Sequence, residues 1–224
     1  MAISVPRSGS AALLLDQARA AVSAADAVLN DVLGKVRERV VVEGHPVARL
    51  FDREQRATHG LAWLATYVEA IRQLTAYAER LGRGGGLGEI EELLVRIGLG
   101  EYLAQIVGGI PMSQGEIVRA TDLGLTPAQV AARMPSAVQD LLANGNSAAN
   151  RARLVELIRG AQHATVGNCA LDDTLDSIRE EMRKFADSEV VTMAQQWHRT
   201  NSYIPMDVID HMAELGVFGL TIPE

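Results

Sequence analysis

The chain has 224 residues, a formal charge of −7, an apolar fraction of 48% and aromatic residues at only 4%. That length holds one large domain or two small ones with ample core, and a core made from Ala, Leu, Val and Ile suits closely packed helices better than a β-sandwich. Residues 1–170 carry 17 acids and 17 bases, whereas residues 171–224 carry 11 acids against four bases. The whole charge excess lies in the last quarter, and no basic footprint for nucleic acid or an anionic membrane is present.

Residues 1–10, MAISVPRSGS, lack a long apolar core and are expected to be disordered. No run in the chain approaches the length of a membrane span, so the cytoplasm is the default compartment. From residue 11 to 43, Leu15, Ala18, Val22, Ala25, Leu29, Val32 and Val36 recur at spacings of three and four, which places them on one helix face. Gly44, His45 and Pro46 break that helix. A second stripe follows over residues 47–81, through Leu61, Leu64, Val68, Ile71, Leu74, Ala78 and Leu81. Two long amphipathic helices with a short connection predict an antiparallel pair.

The run GRGGGLG, residues 82–88, ends the second helix as a flexible link. A phosphate loop would need a preceding strand and a following Gly-Lys-Ser/Thr, and neither is there. Residues 89–111 predict one or two short helices interrupted at Gly98 and Gly100 and halted at Gly108–Pro111. Thr126, Pro127 and Gln129 then offer an N-cap, a first helical position and a capping box. A turn at Asn144–Asn146 leads into a helix that runs to about residue 162. No stretch alternates strictly over a strand's length, so the fold class is all-α.

Side chains with chemistry are present but scattered. His45, His59, His163, His198 and His211 form no His-x-x-x-His pair and read as surface or satisfied structural histidines rather than metal ligands. The pairs Glu91–Glu92, Asp172–Asp173 and Glu180–Glu181 are sequence neighbours and so point to different helix faces, which does not make an acid/base dyad. Asp172 or Asp173 instead suits the cap of the following helix. Cys169, the one cysteine, lies among small residues without an activating base and reads as a small buried or half-buried hydrophobe. Residues 115–134 have the cadence of a helix-turn-helix. Over residues 115–145, however, Arg119 and Arg133 face Glu116, Asp122 and Asp140, the wrong sign for DNA.

The specific signal lies at the C-terminal end. Residues 175–224 carry a helix over 178–186 with the pair Phe185–Ala186, then Trp197, a proline-started helix, and the turn LGVFGLTIPE. This stretch resembles the start of the acyl-CoA dehydrogenase fold. The turn itself reads as a helix ending at glycine and leading into an ordered segment, the middle of a motif rather than a frayed tail. Upstream, GLAWLATYVEAIRQL and IGLGEYLAQIVGGIPMSQGEIVR resemble the helical extension of (2S)-methylsuccinyl-CoA dehydrogenases of the ethylmalonyl-CoA pathway.

The resemblance implies a helical extension domain over residues 11–165 and the beginning of an acyl-CoA dehydrogenase N-terminal α-domain over residues 171–224. It implies, for a longer parent, an FAD-dependent oxidoreductase that forms the α,β-double bond of a short branched acyl-CoA. An electron-transferring flavoprotein is then the acceptor, and the assembly a homo-oligomer. Since the flavin and CoA contacts of the family lie mainly in parts that follow, no catalytic, cofactor-binding or metal-ligating residue is assigned, Glu224 included. Neither flavin nor turnover is expected of this polypeptide alone. The competing class is a helical protein-interaction module without catalysis.

Overall fold

A computed structural model describes residues 7–161 and 167–220, and its chain divides into two units between Ala170 and Leu171. Helix α1 spans Arg7–Val40, α2 Ala48–Arg53, α3 Gln55–Gly84 and α4 Glu89–Gly108. Shorter helices follow: α5 Pro127–Ala132, α6 Ser136–Asp140 and α7 Ala148–Ala161, with a π-helical turn at Leu141–Gly145. The second unit holds α8 Asp173–Phe185, α9 Val191–Thr200 and α10 Met206–Glu214. The all-α expectation holds. Helix α1 starts at Arg7, inside the stretch expected to be disordered, and residues 1–6 lie outside the described ones.

Helices α1 and α3 form the expected antiparallel pair, as their cross-links show. Arg19 pairs with Glu79 at 2.8 Å and Asp26 with Arg72 at 2.6 Å, so the start of one helix lies beside the end of the other. Between them, Thr75 is buried and donates to the Ile71 carbonyl at 2.9 Å within its own helix. On α3 the buried stripe runs through Leu64, Val68, Ile71, Ala78 and Leu81, close to the sequence expectation. On α1 it is rotated. The fully buried face is Leu14, Ala18, Ala21, Ala25, Val28, Val32 and Val36, while Leu15, Val22 and Leu29 are half-buried flanks. The rotation follows from α1 packing on α4 and α6 as well as on α3, which widens the face that must be apolar.

Helix α4 corrects the expectation of short, glycine-interrupted pieces. It is one helix of 20 residues, and its glycines serve close packing. A Cβ on Gly98 would stand 2.8 Å from Leu74 Cδ1, and one on Gly100 would stand 2.8 Å from the Asn146 amide nitrogen and 2.9 Å from the Leu141 carbonyl oxygen. With Leu99, Leu103 and Ile106 also buried, α4 is the central rod of the first unit. A helix surrounded in this way repays its glycine penalty through packing.

Two small antiparallel hairpins depart from the strand-free expectation. In the first, β1 Val41–Val42 pairs with β2 His45–Pro46 across Glu43 and Gly44, whose φ angles are 50° and 82°. Positive φ at both turn residues is the geometry that matches strand twist in a two-residue hairpin. The second joins β3 Ile110–Ser113 to β4 Glu116–Val118. Val118 is buried against Gly60 of α3, where a Cβ would lie 2.6 Å from Val118 Cγ2. Strands of two to four residues are too short to show a period of two.

Candidate functional site

The residues singled out in the sequence do not converge. Among the described residues no group of three or more His, Cys, Asp or Glu side chains could hold a metal. His45, His59 and His198 are exposed, His211 is half-buried and His163 lies outside the described residues. Glu180 pairs with Arg183 at 3.4 Å and Glu181 with Lys184 at 2.6 Å, each within α8. The Lys184 ammonium is held above its usual range, first by the hydrogen bond to Glu181. Cys169 is exposed, not the small buried or half-buried hydrophobe expected.

The helix-turn-helix cadence resolves into other structure. Its first half is strand β4 and the turn after it, and α5 is only six residues long, although Thr126, Pro127 and Gln129 form the expected capping box. Arg133 pairs with Asp31 at 2.8 Å, and the Arg119 backbone amide, not its guanidinium, donates to Asp122 at 2.8 Å. The glycine run likewise forms no phosphate cradle. Gly85, at φ 71°, ends α3, and the Gly88 amide at the start of α4 donates to the Glu91 carboxylate at 3.0 Å. A helix N-terminus already satisfied by its own carboxylate is a poor anion site.

A polar chain crosses the first unit. Tyr67 donates to Gln105 at 2.6 Å, Gln105 to Glu101 at 2.5 Å, and Asn146 to the other Glu101 oxygen at 2.5 Å. Burial pushes the Tyr67 phenol upward, with Tyr102 and Glu101 adding to the shift. A phenol moved away from neutrality is a weak general acid or base at pH 7. This chain ties α3, α4 and the π turn together.

The second unit carries the one candidate cleft that matches a sequence signal. Asp172 caps α8, accepting from the Leu175 amide at 2.8 Å, as the sequence suggested. The helix runs through Phe185 into a π-helical turn, Ala186–Val190, and on into α9. Helix α9 ends at Asn201 with φ 51°, and Pro205 starts α10. Gly216, at φ 73°, closes α10 and leads into a 3₁₀ turn, Val217–Gly219, so the helix-to-glycine reading holds through residue 220; residues 221–224, with Glu224, lie outside the described ones. Phe185, Val190, Ala194, Trp197, Val208 and Met212 line an open groove of about 550 Å³ between these helices. His211 Nδ1 donates to a Glu189 carboxylate oxygen at 2.7 Å, and its ring meets the Phe185 ring edge-on at 5.1 Å.

The groove is mainly apolar, with His198, Asn201 and Ser202 as the polar side chains on its lining and no carboxylate among them. In the same unit Val191, Ile204, Met206, Phe218 and Leu220 are all more than half exposed. Sequence patterning located the helices and Trp197 but not the groove, because the π turn shifts the register of α9 against α8 in a way no periodicity announces.

Residues 172–224 match the family model described as acyl-CoA dehydrogenase, N-terminal domain. The chain is also 44% identical over 212 residues to (2S)-methylsuccinyl-CoA dehydrogenase of Cereibacter sphaeroides, an alignment covering 94% of this chain and 38% of that protein. The identity therefore runs through the first unit as well as the second.

Proposed function

We propose that this chain, whose residues 172–224 carry an acyl-CoA dehydrogenase N-terminal domain sequence, is the N-terminal portion of an FAD-dependent acyl-CoA dehydrogenase. The proposed reaction is the α,β-oxidation of a short branched acyl-CoA, (2S)-methylsuccinyl-CoA to mesaconyl-CoA. The observation that carries this reading is the reach of the match. Its 212 aligned residues include the helical extension, which lies outside the family domain, so the likeness is not confined to the part common to the family.

FAD would supply the hydride acceptor for the β-hydrogen, opposite a base at the α-carbon. The described residues do not fit that group: they present neither a glycine-rich phosphate loop after a strand nor a free helix N-terminus at the glycine run. What they contribute is the helical wall formed by α8, α9 and α10 with its apolar groove. The test is to express the gene product with all sequence that follows residue 224, quantify bound flavin, and assay reduction of an artificial electron acceptor. Turnover with (2S)-methylsuccinyl-CoA well above that with straight-chain acyl-CoA supports the proposal; a flavin-free protein without turnover favours an interaction module.

A further inference from the structure

The dehydrogenase reading leaves unused a buried acid in the first unit. Glu91 is 8% exposed, and it is the acidic residue buried among the described ones. Its two oxygens take backbone amides from places far apart in sequence. Oε2 accepts from the Gly88 amide at 3.0 Å, and Oε1 accepts from the Asn168 amide at 2.8 Å. Tyr77 completes the arrangement, its hydroxyl donating to the Asn168 carbonyl at 2.6 Å. Asn168 is thus held by both its N–H and its C=O, as a residue paired in a sheet is. Its own side chain accepts from the Ala170 amide at 2.8 Å. Gly167 adopts φ 83° against Leu94, where a Cβ would lie 3.0 Å from Leu94 Cδ1.

We infer that residues 167–170 are a strap, fastened by Glu91 and Tyr77 onto the turn between α3 and α4, which fixes the point on the first unit from which the chain departs toward residue 171. A capping carboxylate usually satisfies one amide at an exposed helix start. Here the second oxygen is also covered, in a part-buried bond to the Asn168 amide, and a covered carboxylate oxygen without a donor is costly. The strap provides that donor, so the cap of α4 and the fastening of the strap share one group and stand or fall together. The device does not depend on which reaction the parent protein catalyses.

Gly88→Ala separates this idea from simple loop packing. The backbone of Gly88, φ −90° and ψ −177°, suits alanine, yet its Cβ would stand 2.7 Å from Glu91 Oε2. The clash is with the mobile end of a side chain, so the carboxylate moves and the fold survives. The experiment is amide hydrogen exchange on the 224-residue chain and on Gly88→Ala, Glu91→Ala and Tyr77→Phe, beside urea midpoints. In the parent, the Asn168 and Ala170 amides should be protected. In Gly88→Ala and Glu91→Ala they should exchange roughly tenfold faster or more, given that hydrogen bonds to a charged acceptor are the stronger kind. Core amides of Val68 and Ile71 should keep their protection. Tyr77→Phe should give a smaller acceleration at the same two amides. An unprotected Asn168 amide in the parent, or equal protection in parent and Gly88→Ala, would overturn the strap. Should Glu91→Ala fail to fold, the other two variants still decide.

Discussion

Val68 and Leu29 both stand on three-and-four stripes of the sequence, but the fold treats them differently. Val68 is fully buried at the α1–α3 contact, whereas Leu29 is half-buried on the flank of α1 next to the fully buried Val28. An unpaired carboxylate in a sealed core typically costs several kcal/mol. Val68→Asp and Val28→Asp are therefore expected to unfold the first unit or lower its urea midpoint drastically. Leu29→Asp can turn its charge to solvent and should cost distinctly less, and exposed Arg83→Ala should leave the midpoint in place. Equal losses for Leu29→Asp and Val28→Asp would show that the flank is as tightly sealed as the face. Asp122 gives a pH-dependent counterpart. Its carboxyl is held below the usual range, first by the hydrogen bond from Arg56 and then by the Arg119 backbone amide. A lowered folded pKa means that its contribution is fully present above the unfolded value of about 4 and fades as pH falls through the folded value. Asp122→Asn should lower the urea midpoint at neutral pH and shrink its fall between neutral and strongly acidic pH; an unchanged acid limb would count against this role.

At the scale of elements, glycines decide how α4 sits. Gly34 on α1 has open space where a Cβ would go, Gly98 meets the end of a flexible leucine, and Gly100 meets backbone atoms of the π turn. Alanine gains about 0.5–1 kcal/mol over glycine inside a helix, while overpacking a rigid contact costs about 1–3 kcal/mol or more. Gly34→Ala should therefore stabilise slightly, Gly98→Ala should nearly balance, and Gly100→Ala should destabilise most, an order that thermal melts of the three variants can check. The same residues show why the sequence was only partly legible. Intrinsic propensity marks glycine as a helix breaker, but the role of Gly100 in α4 depends on Leu141, Gly145 and Asn146, more than 40 residues away in sequence. Conversely, the Thr126 capping box and the Asp172 cap are local chemistry and were legible. The Glu43–Gly44 turn lacks the Asn-Gly or Asp-Gly signature of a two-residue hairpin, and its strands are too short to show alternation. The groove beside Trp197 was hidden because its walls come from three helices whose register is set by a π turn.

At the scale of the molecule, the two units differ in kind. The first has a continuous core running from Leu14 through Val68 and Leu99 to Leu141. The second has Val208, at 9% exposure, as its buried hydrophobic residue among those described, while Trp197 and Phe185 only line an open groove. Folding must offset about 1–2 kcal/mol of backbone entropy per ordered residue, and a unit of this size that buries so little apolar surface has little with which to do it. Its amphipathic helices look built to pack against further protein, as the proposed dehydrogenase parent would supply. The expected outcome is asymmetric. A polypeptide of residues 1–170 should keep a cooperative urea transition close to that of the 224-residue chain. A polypeptide of residues 171–224 should show partial helicity by far-UV circular dichroism without a sharp thermal transition, and should gain dye-binding apolar surface. A cooperative melt for residues 171–224 alone would mean that the groove closes on itself, and the packing role proposed for that face would then have to be given up.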